Sequence, residues 1–359
     1  MDEQTVAIYE EVAPRYASAR EPRRRSEASA FGAAIPAGAV RADLGCGAGR
    51  YTADLGHPTL AVDAARAMLE VTRSVAAGAW LVQADLEALP LRDRALGGAW
   101  ASMAYHHLPR DRMPLALAEL HRSLAVGAAV DLTVISGDYE GTDLPHDDFP
   151  GRYFRAWSRP QMADVVIGAG FEIGEIGEFG PAETGTLGVQ MTRARTLADT
   201  VGPGLRVLMC GLNPSVYSAD AGHGFARPGN RFWPAALEAG LVSAVHDPRH
   251  ALLVDGVGMT DLVKRATPGS AVLTAAEYRE GLGRVERLVA WLRPSVVCFV
   301  GMEGWRKGGH PGAGLGVQPE PFGGSVAYVM PSTSGRNAHA SKAELVDHFG
   351  QVGALASSA

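Results

Sequence analysis

Strand patterns and helix patterns alternate along this chain, and the alternation is interrupted only once. Short apolar segments bounded by turn residues are typical of strands, and amphipathic stretches such as MPLALAELHRSL are typical of helices. This alternation predicts an α/β fold, in which helices cover a mainly parallel sheet. The strand segments predicted in the first half are VRADLG, TLAVD, LGGAWASM, AAVDLTVIS, FEIGEIGE and LGVQMT.

The interruption is a polar segment, TRARTLADTVGPG, which is followed at once by a new strand, LRVLMCGLNP. Because single cores rarely grow beyond about 250 residues, a chain of 359 residues is expected to form two domains. We expect a first domain over residues 1–195, a linker over 196–204 and a second domain over 205–359.

Composition excludes several classes of protein. No apolar run approaches the roughly 18 residues of a membrane span, and the start, MDEQTVAIYEEV, lacks the features of a signal peptide. We therefore expect a cytoplasmic protein with no membrane partner. Cys46, Cys210 and Cys298 are too far apart for a CxxC-type metal site, so buried free thiols and no metal are expected. The first 200 residues are net acidic and the remainder slightly basic, which permits nucleic-acid binding but does not argue for it.

A glycine-rich turn follows the first predicted strand. DLGCGAGRY begins at Asp43 and places Gly45, Gly47 and Gly49 where the chain leaves the strand, so that a ligand can approach the backbone closely. The next strand ends in Asp63, which can accept hydrogen bonds from ribose hydroxyls, and a later one is followed by Asp85. The pattern predicts a nucleotide-type site.

DLGCGAG, AVDAARAML, ADLEALPL and AYHHLP resemble, in this order, the motifs of class I S-adenosylmethionine-dependent methyltransferases over about residues 5–190. The resemblance implies a Rossmann-like fold that binds S-adenosylmethionine. The loop of Asp43, Gly45, Gly47 and Gly49 would wrap the methionine part, Asp63 would hold the ribose, and Asp85 with Leu86 would flank the adenine. NAD is the alternative cofactor, although the spacing lacks the third glycine of GxGxxG.

Two further features of this half concern the methyl acceptor, whose identity the sequence does not indicate. EEVAPRYASAR resembles the helical lid of family members that modify small molecules or tRNA. His106 and His107 lie where a strand opens toward the expected pocket. Either histidine could act as a base, and the alternative is that the pair only shapes the entrance for the acceptor.

The second half presents a strand that ends in LNPS, where α/β sheets display reactive side chains. The amide of Asn213 has a donor and an acceptor, so it can orient a water molecule without carrying charge. The alternative for this tripeptide alone is an Asn-Pro turn.

GLNPS, GHGFARPGNRFW, GVGMTDLVKRATPGS, EYREGL and YVMPSTSGRNA resemble, in this order, the mismatch-specific uracil/thymine DNA glycosylases of the uracil-DNA glycosylase superfamily. The resemblance spans residues 205–350 and implies a three-layer α/β/α domain. It implies that Phe225 stacks on the extruded base, that Thr267 lies near the pyrimidine, and that Arg336 fills the gap in the duplex. A core position for Phe225 and a surface position for Arg336 are the alternatives. Phosphate contacts are implied for Ser332, Thr333, Ser334 and Gly335.

Asp261 occupies a position where relatives often carry asparagine or lysine. One hypothesis is that it assists the attacking water as a general base or shifts the base preference; the alternative is that it caps a helix. With water held by Asn213 and no lysine among the matched residues, we expect a monofunctional glycosylase without cofactor. Its expected substrate is double-stranded DNA with uracil, or else thymine or a damaged base, opposite guanine.

The leading hypothesis is therefore a fusion of a methyltransferase and a DNA glycosylase. One alternative is a methyltransferase acting on a small molecule or tRNA, whose second domain holds nucleic acid without cutting it. Another is a first domain that binds its cofactor only to regulate. Cleavage of uracil-containing DNA and thermal protection by S-adenosylmethionine distinguish these alternatives.

Overall fold

The computed structural model describes residues 2–19, 23–179 and 185–358 and divides into two compact units. The first unit contains residues 1–167 and 171–194, and the second contains 168–170 and 195–359. The segment 196–204, which we expected as a linker, lies within the second unit. The α/β fold class predicted from the sequence is confirmed.

The first unit is built on a seven-stranded sheet whose strand order is β3-β2-β1-β4-β5-β9-β8. Neighbouring strands from β3 through β2, β1 and β4 to β5 pair in parallel, and β9 pairs antiparallel with both β5 and β8. The seven strands are β1 Arg41–Leu44, β2 Thr59–Asp63, β3 Trp80–Gln83, β4 Leu96–Ser102, β5 Leu124–Ile135, β8 Phe171–Phe179 and β9 Thr186–Arg193. Two further strands, β6 Glu140–Gly141 and β7 Phe154–Arg155, pair with each other in a separate two-stranded sheet.

Five α-helices accompany these strands in the described residues: α1 Glu3–Ala19, α2 Arg25–Ala34, α3 Arg66–Val75, α4 Met113–Ser123 and α5 Arg159–Gly168. Short 3-10 turns span Tyr105–His107 and Arg110–Arg112. The α1 helix covers most of the segment that we expected to form a helical lid, and the last residue of that segment, Arg20, lies outside the described residues.

The second unit has a five-stranded sheet with the order β11-β10-β12-β14-β13, in which only β13 is antiparallel among the described strands. The strands are β10 Val207–Gly211, β11 Val257–Asp261, β12 Val296–Val300, β13 Gly316–Val317 and β14 Val326–Met330. The helices are α6 Val216–Ala221, α7 Phe232–Glu238, α8 Pro248–Leu253, α9 Ala275–Leu292, α10 Met302–Gly308 and α11 Lys342–Ser358, with a 3-10 turn at Ser270–Val272.

Helices cover both faces of this second sheet. Successive side chains of a strand point to opposite faces. Cys298 of β12 packs in a buried cluster with Phe232 of α7 and Phe349 of α11. Its neighbour Phe299 faces the other way, against Trp305 of α10, with ring centroids 4.4 Å apart. The unit therefore has the three layers that the sequence predicted.

Local sequence explains where the longest helix described in the second unit begins, and the cysteines are buried as expected. Thr274 and Glu277 form a capping box at the start of α9, because the side chain of each accepts a hydrogen bond from the backbone N–H of the other. Cys46, Cys210 and Cys298 are free and buried, as predicted. None of the helices described here combines the length and the apolar character needed to cross a bilayer.

Candidate functional sites

A cavity of about 110 Å³ lies at the ends of β10 and β11 in the second unit. Gly211 ends β10 and is paired in register with Asp261, which ends β11. The carboxyl ends of parallel strands meet at one edge of the sheet, where ligands bind in α/β folds. The lining includes Gly211, Asn213, Ser218, His223, Phe225 and Asp261.

The amide of Asn213 is held by its nitrogen. Nδ2 donates to the carbonyl oxygens of Pro214 (3.1 Å) and Arg265 (3.0 Å), and it lies 2.8 Å from Oγ1 of Thr267. Carbonyl oxygens only accept hydrogen bonds, so these partners fix which end of the amide is nitrogen. Oδ1 is left without a hydrogen-bond partner among the residues described, in a side chain that lines the cavity.

Thr267 supports Asn213. Its hydroxyl also lies 2.9 Å from the carbonyl oxygen of Gly269, and the side chain is buried. It is not among the residues that line the cavity, so the structure places it beneath Asn213. The sequence had suggested a position near the pyrimidine, and what it could not show was the contact with Asn213.

Phe225 forms one wall of the cavity. Its ring stacks on Phe232 with centroids 3.9 Å apart and planes within 3°, and Phe232 is fully buried. The φ angle of Phe225 is 57°, a left-handed conformation that is costly for a bulky residue and is found where the surrounding structure enforces it. Packing thus holds a flat ring in a fixed orientation beside the cavity.

Asp261 projects toward the same space. A methyl group built on Gly211 would lie 2.3 Å from Oδ1 of Asp261 and 3.6 Å from Cζ of Phe225. Burial raises the pKa of Asp261 to about 6, although Lys264 and Arg284 counteract this. The alternative that Asp261 caps a helix is wrong, because the residue ends a strand and the next α-helix described begins at Ala275.

The loop after β14 contains the residues for which the sequence suggested DNA contacts. Gly335 and Arg336 are exposed, Ser332 and Ser334 are half-buried, and Thr333 is buried. The carbonyl oxygen of Thr333 accepts a hydrogen bond from the backbone of Arg231.

Arg231 is a positioning residue that sequence reasoning missed. Its guanidinium donates to the carbonyl oxygens of Ala340, Ser334 (3.2 Å) and Asn337 (2.8 Å), all in the loop after β14. Arg231 lies in the motif GNRFW, but the carbonyl oxygens that it binds lie about a hundred residues further along the chain, so nothing in the sequence indicated the contact. Arg231 thereby fixes the loop that carries Arg336.

In the first unit, the glycine-rich turn connects β1 to the following segment. Gly45, Gly47 and Gly49 have φ angles of 66°, 53° and 73°, which glycine adopts without strain. A side chain on Gly45 would collide with Ala104, and one on Gly49 would collide with Thr72. The turn is thus packed closely on one side, and its backbone can line a ligand.

Three acidic residues surround this turn. Asp63 accepts hydrogen bonds from the backbone of Gly47 (2.8 Å) and Ala65 (2.9 Å), and burial raises its pKa to about 6. Asp43 accepts a hydrogen bond from Thr52 at 2.6 Å, and burial raises its pKa to about 7.

Asp85 marks the third predicted position. It accepts a hydrogen bond from the backbone of Glu87, and the adjacent Leu86 is buried. Asp85 follows the end of β3, which is next to β2, the strand that ends in Asp63. The structure therefore places the acids and the glycine turn at the ends of three neighbouring strands, β1, β2 and β3.

Helix α1 contacts both the glycine turn and the histidine pair. Arg50, just after the turn, donates to the carbonyl oxygen of Tyr16, and the Tyr9 hydroxyl lies 2.8 Å from Nε2 of His107. Nδ1 of His107 lies 2.7 Å from the carbonyl oxygen of Tyr153, so this nitrogen is the one that carries the proton. Burial lowers the pKa of His107 to about 4 and that of His106 well below its usual value, so both rings are neutral at neutral pH.

Each unit contains a segment that matches a protein-family model. Residues 42–130 match the model described as a methyltransferase domain, and residues 198–352 match the model of the uracil DNA glycosylase superfamily. The first match contains the glycine turn, Asp63 and the histidine pair. The second contains Asn213, Phe225, Asp261 and the loop after β14.

Solved structures similar to this chain include several methyltransferases and the [4+2]-cyclase SpnF. DhpI in complex with S-adenosylhomocysteine is 19% identical, with 54% of this chain and 96% of that chain covered and a TM-score of 0.43. The 1,6-didemethyltoxoflavin-N1-methyltransferase of Burkholderia thailandensis is 22% identical, with 53% and 85% covered and a TM-score of 0.41. An S-adenosylmethionine-dependent methyltransferase of Mesorhizobium loti is 20% identical, with 46% and 96% covered and a TM-score of 0.37.

Proposed function

Given that this chain joins a methyltransferase domain to a domain of the uracil DNA glycosylase superfamily, we propose that the second unit is a monofunctional DNA glycosylase. Its proposed substrate is a mispaired pyrimidine, with uracil opposite guanine as the first candidate. The observation that carries the proposal is the anchored amide of Asn213, whose oxygen is left to accept a hydrogen bond in the cavity.

Glycosylases act on a base that has been rotated out of the duplex, at a cost of a few kcal/mol in lost stacking and pairing. Phe225 offers a preformed flat surface on which the extruded base can stack, an interaction worth about 1–3 kcal/mol. The exposed Arg336 is long enough to enter the vacated space in the duplex. Ser332, Ser334 and Gly335 would contact the neighbouring phosphates through hydroxyl and backbone N–H groups. The phosphate contact expected for Thr333 does not fit the structure, because Thr333 is buried and its carbonyl oxygen pairs with the backbone of Arg231.

Bond cleavage then requires water at the anomeric carbon. As the base leaves, the sugar develops oxocarbenium character and needs only a weak nucleophile. Oδ1 of Asn213 would accept a hydrogen bond from that water and aim its lone pair at the sugar. Lys264, which lies near the cavity residues, has its ammonium group 2.8 Å from Asp199. It is therefore committed to an ion pair, which favours hydrolysis over Schiff-base chemistry.

The test is single-turnover excision of uracil opposite guanine by the full chain and its Asn213→Ala and Asn213→Asp variants. We expect each variant to lose about 10²–10³ in rate, as for the loss of one positioned polar group. Asn213→Asp should fail because an oxygen would replace Nδ2 beside the carbonyl oxygens of Arg265 and Pro214.

Binding to the same duplex and the unfolding midpoint serve as controls. A folded Asn213→Ala protein that cuts at the parental rate would refute the proposal, and a parent that binds but never cuts would favour a non-catalytic nucleic-acid-binding domain.

We further propose that the first unit binds S-adenosylmethionine, the donor of the transferred methyl group. The residues fit such a ligand, because the positive-φ glycine turn leaves its backbone uncovered and Asp63 retains lone pairs beyond its two backbone bonds. Gly45, Gly47 and Gly49 would surround the methionine part, Asp63 would accept from the ribose hydroxyls, and Leu86 with Asp85 would flank the adenine. The identity of the methyl acceptor stays open. His107 is not free to act as its base, because Nδ1 donates to Tyr153 and Nε2 accepts from the Tyr9 hydroxyl, so the histidine pair is better suited to shaping the entrance.

A further inference from the structure

Asp261 is the one residue with a carboxyl group among those that line the cavity of the second unit. Its side chain is half-buried, yet the part of the chain described by the structure gives its carboxyl oxygens no hydrogen-bond or ion-pair partner. Carboxyls that are partly removed from water are normally paired, because removing a charge from water is costly. An unpaired acceptor in a cavity is available to a ligand.

The nearby cations do not satisfy this carboxyl. Lys264 Nζ and Arg284 Nη1 lie 2.8 Å and 2.7 Å from the two carboxyl oxygens of Asp199, and Arg284 Nη2 donates to the backbone oxygen of Asp261. Two cations and one anion leave an excess of one positive charge beside the cavity. An ionised Asp261 balances that charge, and its pKa of about 6 leaves it mainly ionised at neutral pH.

The position of the carboxyl indicates which part of the substrate it meets. Oδ1 of Asp261 and the ring edge of Phe225 flank the same point above Gly211, at 2.3 Å and 3.6 Å. A base stacked on Phe225 would therefore present its edge to this carboxylate. The water-positioning group, Asn213, follows Gly211 by two residues and is anchored toward Thr267 and Arg265.

A carboxylate accepts hydrogen bonds and cannot donate them. Uracil offers a single N–H between two carbonyl oxygens, so a carboxylate that accepts from it also faces an oxygen. Either base leaves with the bonding electron pair, so a neighbouring negative charge disfavours both departures and does not itself separate the two bases. Cytosine offers an exocyclic amino group, the group that aspartate and glutamate recognise on this base in DNA.

We propose that Asp261 is a specificity-determining residue that shifts the base preference of this cavity from uracil toward 4-aminopyrimidines, cytosine and its relatives, compared with an asparagine at the same position. The inference rests on the proposed glycosylase function and narrows its substrate class. Asn213 positions the water for either base, and Asp261 sets the ratio between them. An asparagine at this position would offer a donor as well as an acceptor, and would match the N–H and the adjacent carbonyl oxygen of uracil.

The test compares single-turnover excision of cytosine and of uracil, each placed opposite the same tetrahydrofuran abasic analogue, so that the opposite base favours neither. Asp261→Asn is nearly isosteric and should lower the cytosine-to-uracil rate ratio by about ten- to hundred-fold. Glu280→Gln removes an exposed carboxyl on α9 and should leave the ratio unchanged. Because a ratio cancels the fraction of folded enzyme, a purely structural role of Asp261 would not move it.

Each outcome decides a different claim. Equal ratios in the parent and Asp261→Asn refute the inference while the glycosylase function stands, provided that Asn213→Ala abolishes excision. A fall of both rates by the same factor also refutes it and instead assigns Asp261 to activation of the water. Excision of neither base by the folded parent removes the proposed function and the inference with it.

Discussion

At the scale of single residues, the pKa values of four aspartates are shifted in opposite directions by their surroundings. Burial opposes ionisation of Asp199, but Arg284 and Lys264 overcome it and hold its pKa below the usual value. Asp43 is also buried and Asp63 and Asp261 are half-buried, and removal from water raises the pKa of each. The last three lie at strand ends beside the candidate ligand sites, where perturbed acids are concentrated in functional proteins.

Asp43 gives a pH-dependent prediction. Its pKa rises from 3.8 to about 7 on folding, so between these values the folded state binds more protons than the unfolded state. The free energy of unfolding contributed by Asp43 therefore falls as pH rises from about 4 to about 7. Asp43→Asn, which keeps an acceptor for Thr52, should flatten this part of the stability curve by a few kcal/mol, to order of magnitude.

Chemical denaturation of the parent and of Asp43→Asn at pH 5 and pH 8 measures the effect. The expected result is that the variant gains stability relative to the parent at pH 8 compared with pH 5. An unchanged difference between the two proteins across this range would contradict it.

At the scale of elements, the loop between β14 and α11 is shaped by a residue that precedes α7. Arg231 ties together three carbonyl oxygens of this loop, those of Ser334, Asn337 and Ala340. A planar guanidinium with several fixed donors can serve three acceptors at once, which a lysine cannot do in the same geometry. The loop proposed to contact DNA is thus held by a side chain from a distant part of the chain.

Arg231→Lys should loosen the loop and weaken binding to duplex DNA by about tenfold, since the loss of charge-assisted hydrogen bonds costs roughly 1.5–3 kcal/mol each and part of this is recovered by water. Excision at saturating enzyme should change much less than binding. Fluorescence anisotropy and single-turnover rates separate the two effects. Arg279→Ala, an exposed change on α9, is the control. Parental binding by Arg231→Lys would contradict this prediction, and a loss in Arg279→Ala alone would show that charge and not loop geometry matters.

The elements themselves were largely predictable, and the contacts between distant ones were not. TLAVD coincides with β2, Thr59–Asp63, because a short apolar run bounded by turn residues carries its own signal. The site contact of Asn213 with Thr267 leaves no local pattern, since the partners are separated by many residues. The possible cap at Asp261 was wrong because the polar residue after an apolar run ended a strand instead.

At the scale of the whole molecule, each unit presents its candidate site at the carboxyl edge of a parallel sheet. The glycine turn follows β1, and Asn213 follows β10. This placement is general for open α/β sheets, where helix and loop starts converge beyond the strand ends. The two units share this arrangement while carrying different residues for different ligands.

Two ligands should therefore protect two different parts of the full chain. At about 100 times its dissociation constant a ligand stabilises its unit by about 2.7 kcal/mol. In hydrogen exchange, S-adenosylhomocysteine should slow residues 41–67, and duplex DNA with a tetrahydrofuran abasic analogue should slow residues 211–231 and 331–340. NADH is the control for the first unit. Protection by NADH instead of S-adenosylhomocysteine would overturn the cofactor assignment.

The fixed ring of Phe225 has a consequence for how damage would be found. Because the Phe225 wall of the cavity is held rigid before DNA binds, the protein need not rearrange when a base enters. The free-energy cost of extrusion would then come mainly from unpairing and unstacking the nucleotide. Weakly paired nucleotides would then enter most often. For the proposed glycosylase, the local stability of base pairing would then determine which nucleotides are extruded, and the cavity would determine only which extruded base is cleaved.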